Sequence, residues 1–237
     1  MYGWRGRIGL IVPSSNTTME PEFYKMIPAG VSVHTARVHL ENVTIKELER
    51  MEEELLYAAR LLATAKVDII VFGCTTGSLI KGLGYDTKLS NMIRETVGIK
   101  AITTATAVVE ALKQLNAKNI ALATPYIEEV TKREEAFLEG NGFNVVDSRS
   151  LGIKENIVIG MQHPIIVYRL VKELKTNEAD VVFISCTNLR TIEIIRKLEL
   201  DLKKPVISSN TATLWYTLKQ LNIKDVQGDY GIIFSYL

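Results

Sequence analysis

Two cysteines carry the most evident chemistry in this chain. Cys74 stands in VDIIVFGCTTGS and Cys186 in ADVVFISCTNLR, each directly after a short apolar run and directly before a threonine. They are 112 residues apart, as are Asp68 and Asp180 in the same runs. A thiol at the end of a strand, where a turn opens the next helix, meets free backbone N–H groups that stabilise anions. That setting draws the thiol toward thiolate and suits a substrate carboxylate equally well. The pair therefore points to nucleophilic addition, or to removal and return of a proton, on a small carboxylate. A lone cysteine would be read as inert core, since free Cys is among the most buried residue types. Two symmetric ones argue against that reading, and no CxxC or HxxxH spacing suggests zinc.

Hydroxyl and amide donors crowd the same places. Thr75, Thr76 and Ser78 follow Cys74, Thr187 follows Cys186, and Gly73 and Gly77 admit close approach of backbone to ligand. After the first apolar run comes VPSSNTTMEPE, where Ser14, Ser15, Asn16, Thr17 and Thr18 form a dense donor set. Helix capping would use one of these and leave the others free. The equivalent stretch further on is TPYIEEV, with Thr124 and Tyr126. His34, His39 and His163 read as surface or loop residues. GxGxxG, GxxxxGK[ST] and GxSxG are all absent, which removes dinucleotide, P-loop and α/β-hydrolase readings.

The elements that must position these residues alternate. Arg7–Val12, Val67–Phe72, Asn119–Ala123 and Asp180–Ile184 read as buried parallel strands, and 31–38, 100–103, 143–147 and 205–208 as shorter ones. Helical patterns cover 44–65, 105–116, 127–139, 164–175 and 211–222. The first keeps one apolar stripe through Ile45, Leu48, Met51, Leu55, Ala58 and Leu62. Alternation of this kind implies right-handed βαβ units with ligands at the carboxyl ends of the strands.

The order repeats. RIGLIVP and NIALATP end at Pro13 and Pro125, again 112 apart, and ITTATAVVEALKQLN matches ISSNTATLWYTLKQLN at a different offset. An α/β fold of two similar domains with parallel sheets follows, related by a pseudo-two-fold axis that brings equivalent loops together in the cleft between them. The third match places the crossover near 101 and the return near 208. The expected domains are 1–101 with 208–237, and 102–207. On this reading the two cysteines face each other across the cleft.

The 237 residues carry 28 Lys and Arg against 27 Asp and Glu, so neither a nucleic-acid footprint nor a membrane-surface patch is expected. No apolar run approaches the ~18 residues of a membrane span. The opening run lacks the long apolar stretch of a signal peptide, and two cysteines make no disulfide framework, so a cytoplasmic protein is expected. Homo-oligomerisation stays open.

The motifs VPSSNTTMEPE, FGCTTGSLIKG, TPYIEEV, GIKENIVIG and ISCTNLRT resemble the aspartate/glutamate racemase superfamily, in its maleate cis-trans isomerase and arylmalonate decarboxylase branch, over nearly the whole chain. The resemblance implies two flavodoxin-like domains, an active site between them and no cofactor. It implies Cys74 as a nucleophile that adds to an alkene and gives a succinyl-cysteine-like intermediate, with Cys186 handling the proton. Asn16, Tyr126 and Asn156 match the carboxylate-binding positions of the isomerases. Thr75 and Thr76 match hydroxyl positions that bind a carboxylate in the decarboxylases. The decarboxylases have Gly where this chain has Cys74, which favours a cis-trans isomerase of maleate or a related small dicarboxylate over decarboxylase or racemase chemistry. A non-catalytic ligand-binding module of two lobes is the reading from another class, but such a module needs no paired cysteines.

Overall fold

The structure, a computed structural model, describes residues 2–237. One sheet holds β1 (Gly6–Pro13), β2 (Val31–Val38), β3 (Ile69–Phe72) and β4 (Ala101–Thr103). The other holds β5 (Asn119–Tyr126), β6 (Asn144–Ile153), β7 (Val181–Ile184) and β8 (Val206–Ser208). Their orders are β2-β1-β3-β4 and β6-β5-β7-β8, with every pairing parallel. Both follow the first four strands of the flavodoxin-like order. The registers repeat as well. Ile8 pairs with Ile69 and Leu10 with Val71, while Ile120 pairs with Val181 and Leu122 with Phe183, each partner 112 residues on.

Among the described residues ten α-helices cover the sheets: α1 (Met19–Met26), α2 (Ile45–Thr64), α3 (Thr75–Leu79), α4 (Tyr85–Val97), α5 (Thr104–Gln114), α6 (Glu128–Gly140), α7 (Asn156–Gly160), α8 (Pro164–Lys172), α9 (Ile195–Leu202) and α10 (Ser209–Gln220). None is long and apolar enough to cross a membrane. α2 begins where its stripe predicts, because Thr44 caps it by accepting from Glu47 N at 3.4 Å. α4 has no counterpart among the predicted helices. It buries only a narrow line, Tyr85, Leu89 and Ile93 beside Asp86, and it is bounded by two left-handed glycines, Gly84 and Gly98. So thin a stripe in a polar segment gives little periodic signal.

Strand pleating sends alternate residues to opposite faces. Ile8, Leu10, Val71, Ile120, Leu122 and Phe183 join α1, α5 and α10 in one apolar cluster that runs through both sheets. Ile11, Ile70, Phe72, Ala121, Val182 and Ile184 point the other way, into a cluster that contains Cys74, Tyr126 and Cys186. α5 packs directly on α10. Beyond α10 the chain returns to the first sheet's half: Asp225 accepts from Arg5 at 2.9 Å, and Gln227 N donates to Met26 O at 2.8 Å.

Candidate active site

Cys74 ends the β3 turn and caps α3, its Sγ accepting from Gly77 N at 3.3 Å. A Cβ at residue 77 would lie 2.8 Å from that sulfur, so glycine is what lets the thiol fold back over the turn. Cys186 follows β7 and Ser185 in a different backbone state. Its φ is +97°, a left-handed value that costs a non-glycine residue about 1–3 kcal/mol. Two contacts hold it there: its N–H donates to Ser209 Oγ at 3.0 Å, and its Sγ accepts from Asn188 N at 3.3 Å. The duplicated cysteines have thus diverged in conformation.

The structure brings the predicted residues of both halves together. Ser209 Oγ also accepts from Thr75 Oγ1 at 2.8 Å, so one hydroxyl joins the Cys74 turn to the Cys186 backbone. Asn16 Nδ2 donates to Thr187 Oγ1 at 3.0 Å, and that hydroxyl donates to Gly73 O at 3.1 Å. Asn156, the first residue of α7, donates to Ser15 Oγ at 2.8 Å. The Thr76 side chain favours the Cys74 thiolate and the Tyr126 hydroxyl favours that of Cys186. Other flagged hydroxyls are structural. Thr124 pairs with Thr131, and Ser78 bonds the carbonyls of Cys74 and Thr75. His163 caps α8, and His34 bonds Ser32.

Two features differ from expectation. First, no open cleft exposes the pair: Cys74 is 4 % exposed and Cys186 5 %, with Asn16, Thr75, Thr76, Tyr126, Asn156 and Thr187 all buried. The halves are closed over the site. Asn42 bridges Glu155, Val43 N donates to Lys154 O at 2.8 Å, and Asn156 N donates to Glu41 O at 2.9 Å. Second, neither thiol is drawn toward thiolate. Burial pushes Cys74 up to about 11 against the opposing bonds from Gly77 and Thr76, and Cys186 up to about 12 against those from Tyr126 and Asn188. Desolvation of an anion outweighs two hydrogen bonds.

Asn188 is the residue that sequence reasoning missed. Its Oδ1 accepts from Thr17 N at 2.8 Å, its Nδ2 donates to Asn156 O at 2.7 Å, and its carbonyl accepts from Thr18 Oγ1 at 2.9 Å. It is the fastener between the donor loop after β1 and the segment after Cys186. ISCTNLRT displays it, but no spacing rule marks an asparagine whose partners are 32 to 171 positions away. Asn188→Ala would strand the buried Asn156 carbonyl, worth about 1–3 kcal/mol, and remove the partner of the part-buried Thr17 amide. Thermal unfolding of this variant should occur at lower temperature than in the parent protein, and KM should rise more than kcat falls.

The sequence and the fold as a whole are similar to those of known proteins. The family model described as arylmalonate decarboxylase matches residues 8–234. A maleate isomerase of Geobacillus stearothermophilus is 33 % identical, over 97 % of this chain and 97 % of that protein. The maleate isomerase Iso of Pseudomonas putida S16, solved as a cysteine-to-alanine variant with maleate, superposes with a TM-score of 0.93 at 28 % identity, over 97 % of both chains. A Nocardia farcinica maleate cis-trans isomerase, solved as a cysteine-to-serine variant with a covalently bound succinylcysteine intermediate, gives 0.93 at 26 % identity, over 98 % of this chain and 99 % of that one. By descent as well as by shape, the chain belongs to the arylmalonate decarboxylase family, alongside that family's maleate isomerases.

Proposed function

We propose that the protein is a cofactor-independent cis-trans isomerase that converts maleate, or a closely related small dicarboxylate, into its trans isomer. The observation that carries this reading is a cysteine in each half, Cys74 and Cys186, both buried in one apolar cluster and joined through Ser209. In this mechanism the open site is wet, which relieves the burial that holds the Cys74 thiol neutral, and Cys74 ionises before closure. Its sulfur adds to one alkene carbon while Cys186 gives its proton to the other. The former double bond is then single and rotates. Cys186 takes the proton back, the carbon–sulfur bond breaks, and the trans product leaves with both carboxylates intact.

The donors are neutral. Asn16 bonds Thr187, Thr75 bonds Ser209, Tyr126 bonds Ser185 and Asn156 bonds Ser15, and a carboxylate entering among these donors and Thr76 exchanges such bonds for charge-assisted ones. Division of the chain into 1–101 with 208–237 and 102–207 is supported by the contacts of Asp225 and Gln227 with the first half. A free, paired-up cysteine site suits the cytoplasm, where thiols stay reduced.

Incubation with maleate in D2O, followed by proton NMR, should replace the maleate vinyl signal with that of fumarate, while an arylmalonate releases no CO2. Decarboxylation of the arylmalonate without isomerisation of maleate would refute the assignment in favour of the decarboxylase reading.

A further inference from the structure

Behind Cys186 lies a buried chain of groups, two of which, Glu134 and Ser185, have no part in the mechanism above. Glu134 on α6 is 0 % exposed. Its Oε1 lies 2.7 Å from Ser185 Oγ, Ser185 Oγ lies 3.3 Å from the Tyr126 hydroxyl, and that hydroxyl is the side-chain group that most favours the Cys186 thiolate. Oε2 of Glu134 has no hydrogen-bond partner among the described residues. An unpartnered, buried carboxylate oxygen is costly, whereas the carbonyl oxygen of a neutral carboxylic acid is far less so. The geometry therefore favours a protonated Glu134. As a carboxylate it would accept from Ser185; as an acid, its O–H donates to Ser185 Oγ across the same 2.7 Å. Ser185 then donates to the Tyr126 oxygen, and Tyr126 donates to the Cys186 sulfur.

We propose that Glu134 is a positioning residue that sets the direction of this chain: neutral, it turns the Tyr126 hydroxyl toward Cys186, and ionised, it turns that hydroxyl away. The inference rests on the reading that Cys186 handles the proton. Once Cys186 has given its proton to the substrate it is a thiolate, and the Tyr126 donor stabilises it. No proton leaves Glu134 during turnover; the hydroxyls only reorient. Burial pushes the Glu134 carboxyl up to about 8, so it holds its proton at neutral pH. When it ionises, Ser185 and Tyr126 reverse, and a second negative charge appears near Cys186. The thiolate is then disfavoured and proton delivery slows.

The titratable groups along the chain are Tyr126 from β5 and Cys186 after β7, with Cys74 beyond Cys186. β6 presents Ser148, which bonds the neighbouring Glu135, and Glu135 is paired with Lys132 at 2.7 Å. In the closed structure Tyr126 and Cys186 titrate above Glu134, so Glu134 is the group in this chain that ionises first as pH rises.

The test is the pH profile of kcat, each enzyme normalised to its own value at about pH 7. The parent enzyme should fall about tenfold per unit above its alkaline midpoint. Glu134→Gln keeps a donor to Ser185 at every pH and should lose that limb. An identical limb in parent and Glu134→Gln enzymes would overturn the proposal. Should Glu134→Gln not fold, Ser185→Ala cuts the chain from its middle. It frees Tyr126 to donate to Cys186 permanently and should flatten the same limb; an unchanged limb again overturns the proposal. A parent enzyme inactive on maleate would refute the isomerase reading itself, a result distinct from both.

Discussion

Replacing Cys74 by Ser should abolish both isomerisation and any covalent adduct, whereas replacing Cys186 by Ser should slow turnover and let an adduct accumulate. Addition to an alkene needs a formed anion, and a serine hydroxyl at the Cys74 position would have to lose a far less acidic proton in the same buried place. Loss of a nucleophile that acts as part of a unit costs on the order of 10⁴-fold or more in kcat. The pocket should survive the change. The Cys74 sulfur accepts from Gly77 N, and a serine oxygen can take its place. Cys186→Ser leaves the nucleophile in position and takes away the group that removes the proton again, so an adduct protonated slowly by water persists. Intact-protein mass spectrometry after incubation with maleate reads the difference directly. The expected result is an added mass of one maleic acid on Cys74 in the Cys186→Ser variant, and none in the Cys74→Ser variant. An adduct on Cys186 in Cys74→Ser, or full activity without Cys74, would reverse the two roles.

The asymmetry behind that prediction shows where sequence reading reaches and where it stops. The repeat announced two halves with the same strand order, because buried parallel strands are continuous apolar runs and their spacing survives duplication. The register pairs of β1 with β3 and of β5 with β7, 112 apart, follow from it. Strand ends could be read, and with them the placement of both cysteines at the carboxyl edge. Conformation at those ends was not legible. Nothing in ISCT against GCT says that Cys186 takes a φ of +97° while Cys74 stays extended, because the cause is a Ser209 hydroxyl contributed by another turn. Thiol acidity was misread for a related reason. Helix-start donors are local and visible, whereas burial depends on how tightly the two halves close, and that closure rests on long-range pairs such as Val43 with Lys154. Glu134 escaped notice because it sits in EEVTKREEAFLEG, a segment of surface-helix composition. A single inward-facing glutamate in such a helix carries no periodic mark of its own.

Donor removal should produce the other large effect, and Asn16 and Tyr126 allow the pocket to be separated from the fold. Asn16 works at both ends of its amide. Its Oδ1 accepts from Thr18 N and Met19 N, each at 3.0 Å, which caps α1, while its Nδ2 points across to Thr187. Asn16→Ala removes both functions. It should cost about 1 kcal/mol of stability through the lost cap. It should also cost about 2.7–4 kcal/mol of transition-state stabilisation, or roughly 10²–10³ in turnover, through the lost donor. Asn16→Asp keeps the cap oxygen and replaces the donor with a second negative charge facing the substrate carboxylate. Thermal stability should therefore be retained while activity falls at least as far as in Asn16→Ala, a split that a purely structural asparagine would not give. Tyr126→Phe is the matching test on the other half. Ser185 keeps its bond to Glu134, so the buried chain behind it is not stranded, and only the hydroxyl that reaches Cys186 is lost. A loss of similar size in kcat, with KM little changed, places that hydroxyl in the proton-transfer step; a rise in KM alone places it on the ground-state carboxylate. Unchanged turnover in both Asn16→Asp and Tyr126→Phe would mean that the substrate sits elsewhere, because these donors come from opposite halves and contact Thr187 and Ser185, the two residues that flank Cys186.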